Sequence, residues 1–236
     1  MRSHLFVAIL LLPLLPATGK AQPASLAVTP VVVTLAAGQT ATTIQVTNHG
    51  AGSTAMQARI YRWTQPSNDD VLTPTDDIIV SPPIFTVPEG GSQTMRLLLR
   101  GGPRTGGERT YRLLLDEVPP ANGQARRVVL ALRLSMPVFL DAATPGRPAL
   151  QWRAERNPGG QTVLTVSNTG TGYTRISTVG VTLSDGSHPK VVSRTPTAYV
   201  LAGAAHQWVV EDSRPAGALQ LTVTSLSGKS ELTLTP

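Results

Sequence analysis

Residues able to carry acid–base or metal chemistry are sparse and scattered in this chain. Acidic pairs occur at Asp69-Asp70, Asp76-Asp77 and Asp116-Glu117. Paired carboxylates suit glycoside hydrolysis when a substrate is held between them. Here the first two pairs lie in polar stretches that read as solvated loops, and the third ends a strand pattern. Past the leader segment, His49, His188 and His206 stand at no ligand spacing to one another and read as loop or surface side chains. Ser, His and Asp all occur, but no nucleophile motif such as Gly-x-Ser-x-Gly does. The 236 residues include no Cys, which excludes thiolate catalysis, disulfides and Cys-ligated metals. The expectation is a protein that is not an enzyme, with no metal and no cofactor.

A different chemistry is legible, that of strand pairing. Val128, Leu130, Leu132, Leu134 and Met136 recur at spacing two. Val129, Ala131, Arg133 and Ser135 occupy the opposite face. An apolar strand left exposed invites aggregation unless a partner's groove covers it. Burying one such side chain gives ~1.5–3 kcal/mol, and four roughly 6–12 kcal/mol. Association costs an estimated ~4–15 kcal/mol, so backbone bonds to the partner and a preformed strand must contribute. A central core strand buried on both faces is the alternative that the pattern leaves open.

The surrounding sequence is built of such strands. Helical periodicity is hard to find, and period-two alternation runs through Thr42–Asn48, Gln93–Arg100, Tyr111–Val118 and Val128–Phe139. It resumes in Val163–Asn168, Val179–Leu183, Lys190–Ser193, Gln207–Val210 and Leu219–Thr224. With 21 Gly and 20 Pro, turn signals are frequent. Pro137, which lacks a ladder donor, is expected where the long strand leaves its partner. Gln65–Asp70 reads as a flexible polar connection, and Trp63, Trp152 and Trp208 as core or hinge packing.

A weak internal repeat sets the domain count. Ile44-Gln45-Val46-Thr47-Asn48-His49-Gly50 matches Leu164-Thr165-Val166-Ser167-Asn168-Thr169-Gly170. That spacing is close to one immunoglobulin-like domain of about 100 residues. The expectation is all-β: two immunoglobulin-like sandwiches in series, over residues 22–141 and 148–236, joined by a Pro/Gly linker at 142–147.

The N-terminus reads as an export signal. Arg2 and His4 form a short polar start, Leu5–Leu15 is almost wholly apolar, and Gly19 and Ala21 offer small residues before a cut after Ala21. The run is too short for a bilayer span of about 20 apolar residues, so a cleaved signal for residues 1–21 and no membrane insertion are expected. Loss of Arg2 and Lys20 lowers the net charge from +6 to +4. The arginines do not cluster with aromatics, which argues against nucleic acid.

Several segments, in their order and spacing, point to one family. They are Leu26–Leu35, then Ala37-Gly38-Gln39 leading into Ile44–Asn48, then Ser81–Leu97, then Glu108–Pro120. The block Tyr111-Arg112-Leu113 with Glu117-Val118-Pro119-Pro120 is the most specific. The chain resembles the PapD-like periplasmic chaperones of chaperone–usher pilus assembly. The resemblance covers the first domain strongly, while the second fits in size and strand pattern. It implies a chaperone that lends an edge strand to an unfinished pilus subunit, the donor-strand mode of β-augmentation. The resemblance also implies delivery of the subunit to an outer-membrane usher. Val128, Leu130, Leu132, Leu134 and Met136 are the lending strand on this reading.

The family's basic anchor for a subunit carboxylate is absent. Val32 stands where an Arg is expected, and Ser135 or Pro137 where a Lys is expected. The Ser135–Phe139 ending resembles the divergent, archaic-type branch. Arg96, Arg112 and Arg133 are the candidate replacements, although Arg96 and Glu117 could equally form a structural ion pair. Self-association in the client-free state is a further expectation. The rival reading is an exported structural or adhesive sandwich such as a pilus subunit. Two domains and no Cys count against it.

Overall fold

The computed structural model describes residues 25–66, 69–101, 107–119, 130–142, 144–192, 198–211 and 218–235. The expected signal segment and Val128 lie outside these residues. Among the described residues no helix is long and apolar enough to cross a membrane.

The first half holds β1 (Leu26–Thr29), β2 (Val33–Leu35), β3 (Ala41–Asn48), β4 (Thr54–Thr64) and β5 (Val71–Pro74). It continues with β6 (Ile78–Ser81), β7 (Ile84–Val87), β8 (Ser92–Leu99), β9 (Arg109–Glu117) and β10 (Arg133–Leu140). One sheet runs β1-β3-β8-β6 and the other β2-β10-β9-β4-β5, with β7 also paired to β4. The chain passes from the first sheet to the second between β1 and β2, where Thr29–Pro30 is cis. Inward-facing Ile44, Val46, Met56, Met95, Leu97, Leu113, Leu115 and Val138 fill the space between the sheets, as period-two burial on both inner faces requires. The alternation above leaves out β4. Its inner face carries small Ala58 beside Met56 and Ile60, and its outer face is itself partly covered, which blurs the contrast.

The second half holds β11 (Leu150–Arg156), β12 (Thr162–Asn168), β13 (Thr174–Thr182), β14 (Val191–Val192), β15 (Ala198–Val200), β16 (Ala205–Val210), β17 (Leu219–Ser225) and β18 (Gly228–Leu234). Its sheets run β11-β12-β16-β14 and β15-β13-β17-β18. The architecture is two immunoglobulin-like β-sandwiches in one chain.

The internal repeat has a physical cause. Asn48, at the end of β3, donates from Nδ2 to Gly52 O (2.8 Å) and Val87 O (3.2 Å), and its Oδ1 accepts from Gly50 N–H (2.9 Å). Asn168 does the same at the end of β12. It donates to Gly172 O (2.8 Å) and Val200 O (3.1 Å) and accepts from Gly170 N–H (3.1 Å). Each buried Asn therefore satisfies the backbone groups that the turn after the strand would otherwise orphan.

The second half of the linker is fastened to the second sandwich. Arg147 O accepts from Thr171 N–H (3.0 Å), and Thr169 N–H donates to Ala149 O (2.8 Å). The contact needs glycine: a Cβ on Gly170 would lie 2.2 Å from Arg147 O, and one on Gly146 would lie 2.4 Å from Thr171 O.

Candidate functional site

The open edge of the first sandwich lies along β10. On one side β10 pairs with β9 over Arg133–Leu140. On the other, β2 covers only Val138–Leu140, in parallel. Arg133–Pro137 therefore has no strand partner on that side among the described residues. The backbone bond from Glu117 N–H to Leu132 O (2.8 Å) shows that even-numbered residues turn their backbone groups to β9. By alternation the odd-numbered residues turn theirs to the open edge. This corrects the expectation for Pro137. The strand does not leave its partner there, because Pro137 stays in register with Arg112. Its missing N–H points to the edge where no ladder bond is made.

The apolar ladder is graded along this strand. Leu130 is 91% exposed, Leu132 and Leu134 are half-buried, and Met136 is only 5% exposed. Met136 is thus a correction: it belongs to the sandwich's own core, because the facing sheet still covers that level. Leu134 packs against the rim of the same core. Among the described residues the strand begins at Arg133, with Leu132 attached just beyond its start by the Glu117 bond.

The opposite face of β10 continues across β9 and β4 as one outer surface. Asp116 sits between two arginines, Arg59 at 2.5 Å and Arg133. Burial pushes the Asp116 carboxyl up, but hydrogen bonds and charge from Arg133 and Arg59 outweigh it and hold it below its ordinary value. Arg133 is thereby used to tie β10 to β9. Arg112 lies lower, opposite Pro137. Its guanidinium stands 3.7 Å from the Trp63 ring centre and 5.3 Å from that of Tyr199, with Asp70 at 3.9 Å. Its side chain is 14% exposed. Burial pushes its pKa down, opposed by Asp70 and Tyr199. Arg96 is not brought to this surface. It lies on β8 in the other sheet, opposite Thr43 and Ser81, and is exposed on that sheet's outer side. It is also on a different sheet from Glu117, so the alternative ion pair between them does not form. At the mouth of the edge, Val31 is 68% exposed and Val32 packs against the second core, so no charge stands at the expected anchor.

Sequence reasoning placed Trp63 in core or hinge packing but did not find the other residues of the seam between the sandwiches. Trp63 and Phe139 come from the first sandwich but pack into the core of the second. Phe139 stacks on Tyr173 at 3.6 Å, and Trp63 meets Tyr199 edge-on at 5.5 Å. The loop expected to be flexible is fastened at both ends. Gln65 donates to Tyr199 O (2.8 Å) and accepts from Leu201 N–H (2.9 Å), while Asp70 accepts from Trp63 Nε1 (2.9 Å). The second acidic pair is not simply solvated either. Asp77 accepts from Tyr111 Oη at 2.8 Å and from Arg62 at 3.2 Å. His206 is buried against Trp208, with ring centres 4.5 Å apart, and is not a surface side chain. Among the described residues no three His, Asp or Glu gather as a metal site.

Glu108 gives the seam a pH dependence. Its carboxylate accepts from Tyr173 N–H at 3.0 Å. Burial pushes its pKa up from 4.5 to about 7, with the Tyr173 bond opposing and Asp141 adding to the rise. The folded protein then holds a proton that the unfolded chain has released. This contribution to stability is complete below about 4.5 and is lost as pH rises through about 7. Glu108→Gln keeps the acceptor and removes the titration. Denaturation followed from pH 5 to 8 is expected to show a flatter profile, with the variant more stable at the alkaline end by about 1 kcal/mol after allowance for its half-exposed position. An unchanged slope would assign the dependence elsewhere.

The fold defines a class: two-sandwich proteins of immunoglobulin type, here with one strand edge only partly paired among the described residues. The sequence model of the family described as pili and flagellar-assembly chaperone, PapD N-terminal domain, matches residues 25–144. This is more than half of the chain, and the protein belongs to that family. No curated protein matches the chain. Solved structures share the fold. One is a chain of the CsuC–CsuE chaperone–tip adhesion subunit pre-assembly complex from archaic chaperone-usher Csu pili of Acinetobacter baumannii. Identity is 22%, coverage 89% of this chain and 98% of that one, and the TM-score 0.68. A chain of the Salmonella enterica SafA pilin–SafB chaperone complex matches at 19% identity, 90% and 96% coverage and TM-score 0.62. The Pseudomonas aeruginosa CupB2 chaperone matches at 19% identity, 89% and 99% coverage and TM-score 0.58.

Proposed function

We propose that this protein is a periplasmic chaperone that lends the β10 edge to pilus subunits, keeps them from polymerising early and passes them to an outer-membrane usher. Residues 1–21 act as its cleaved export signal. The observation that carries this reading is the edge at Arg133–Pro137, without a strand partner on that side among the described residues, continued by half-buried Leu132 and by Leu130, which is 91% exposed. An unfinished sandwich could take the odd-numbered backbone groups into its ladder and Leu130, Leu132 and Leu134 into its core. The same exposed edge supports self-association when no subunit is bound. The missing basic pair supports membership of the archaic-type branch. No cofactor is needed for strand exchange of this kind. The test is co-expression with fimbrial subunits followed by purification from the periplasm. A one-to-one complex is expected, and failure to hold any subunit would overturn the reading.

Arg112 is the best-supported replacement for the anchor. A strand added along β10 must stop where β2 begins pairing, at Val33 and Val138. Arg112 stands at that level, opposite Pro137. Its plane is fixed by stacking on Trp63, which pre-orients it for a carboxylate. Arg112→Lys keeps the charge and loses the stacked plane, so subunit affinity should fall about tenfold, a loss of about 1.4 kcal/mol. Arg112→Ala should lose more. Titration calorimetry against an isolated subunit reads both, and wild-type affinity for the Ala variant would locate the anchor elsewhere.

A further inference from the structure

The free end of β10 is held by a side chain where a strand would normally hold it. The regular β9–β10 ladder ends with the pair Arg133 and Asp116. One step further, a continued antiparallel ladder would have Glu117 and Leu132 exchange two backbone bonds. One of these is made, from Glu117 N–H to Leu132 O at 2.8 Å. The return bond is different. Leu132 N–H donates to the Glu117 carboxylate, to Oε2 at 3.1 Å. Beyond this point the chain after β9 turns no further N–H toward β10. Val118 N–H donates to Ala55 O on β4 at 2.8 Å, and Pro119 has no N–H.

We propose that Glu117 is a positioning residue for the lending segment. Its carboxylate, through the Leu132 N–H, keeps Leu130 and Leu132 in line with Leu134 before any client arrives. This rests on the strand-lending reading above. The physical effect is preorganisation: a segment already extended loses less conformational freedom when a groove closes on it. The role requires an acceptor atom and not a charge. Gln can fill it at the same reach, and Ala cannot.

The test uses the full chain and two readouts. The first is amide hydrogen exchange of client-free protein, with Leu113 and Leu115 in the core of β9 reporting that the sandwich is intact. In Glu117→Ala, Leu132 should exchange about tenfold faster while Leu113 and Leu115 keep their protection. In Glu117→Gln all three should match wild type. The second readout is subunit affinity, with Leu130→Arg in parallel. Glu117→Ala should bind about tenfold more weakly and Glu117→Gln like wild type. Unchanged protection of Leu132 in Glu117→Ala would overturn the hydrogen-bond role. Lost protection with unchanged affinity, while Leu130→Arg fails to bind, would overturn the link to binding alone. If Leu130→Arg also binds like wild type, the strand-lending reading is what fails, and this proposal falls with it.

Discussion

Leu130→Arg combined with Leu132→Arg is expected to abolish the proposed capture of a pilus subunit, with affinity lower by about a thousandfold or more. Burying each leucine in a client groove supplies ~1.5–3 kcal/mol. Placing guanidinium groups there adds a desolvation cost for each charge that finds no partner. Losing the two leucines alone accounts for ~3–6 kcal/mol, and each 1.4 kcal/mol is about tenfold in affinity. The fold should be untouched. Leu130 is 91% exposed and Leu132 lies beyond the end of the regular ladder. Met136→Arg makes the contrast, since that side chain is 5% exposed within the core and its replacement should unfold the first sandwich. The measurement is co-purification and calorimetry with a subunit, beside circular dichroism of each variant. A double variant that stays folded and binds as tightly as wild type would move the site away from β10.

Asn168→Ala is expected to destabilise the second sandwich by about 3–5 kcal/mol. Asn168 is 1% exposed. Its Nδ2 reaches Gly172 O and Val200 O at 2.8 and 3.1 Å, and its Oδ1 receives Gly170 N–H and Ala149 N–H at 3.1 and 3.0 Å. Each bond is worth about 1 kcal/mol net, and a buried group left without a partner costs about 1–3 kcal/mol. One of the four, from Ala149, ties the segment just before β11 to the turn after β12. Trp152 and Trp208, stacked at 5.4 Å, make fluorescence during urea unfolding a report on this half. An unfolding free energy within a few tenths of a kcal/mol of wild type would mean that water replaces the Asn side chain at little cost.

The repeat that contains Asn48 and Asn168 was legible as a pattern because its cause is local. An Asn that ends a strand and bonds the next turn leaves the same short signature wherever it occurs. Strand positions were legible for the same reason, since one covered face imposes alternation on the residues of a single segment. The repeat and the alternation carried the two-sandwich fold, and the Tyr111–Pro120 block was the most specific of the segments that carried the family. What the local pattern could not carry was which neighbour a given face meets. Leu130, Leu132, Leu134 and Met136 share one periodicity, yet exposure falls from 91% to 5% along them. That fall depends on where the opposite sheet ends.

The arginines make the same point. Arg96, Arg112 and Arg133 each stand on a strand between two apolar or aromatic residues, and nothing within a strand says which sheet it joins. Pairing puts Arg96 on the far sheet, Arg133 against Asp116, and Arg112 over Trp63. The seam beyond Trp63 was invisible for a related reason. Gln65 and Tyr199 stand 134 residues apart, and each reads locally as an ordinary loop or strand residue. By itself, then, the sequence determined many of the strands though not β4 or β11, the two sandwiches, the family and the line of leucines, because each of these is written in short-range periodicity or motif. Only the tertiary structure decided where β2 stops covering β10, which leucines stay outside, and that a carboxylate on Glu117 holds Leu132. Those outcomes depend on where separate strands end against one another, and pairing between distant segments sets that.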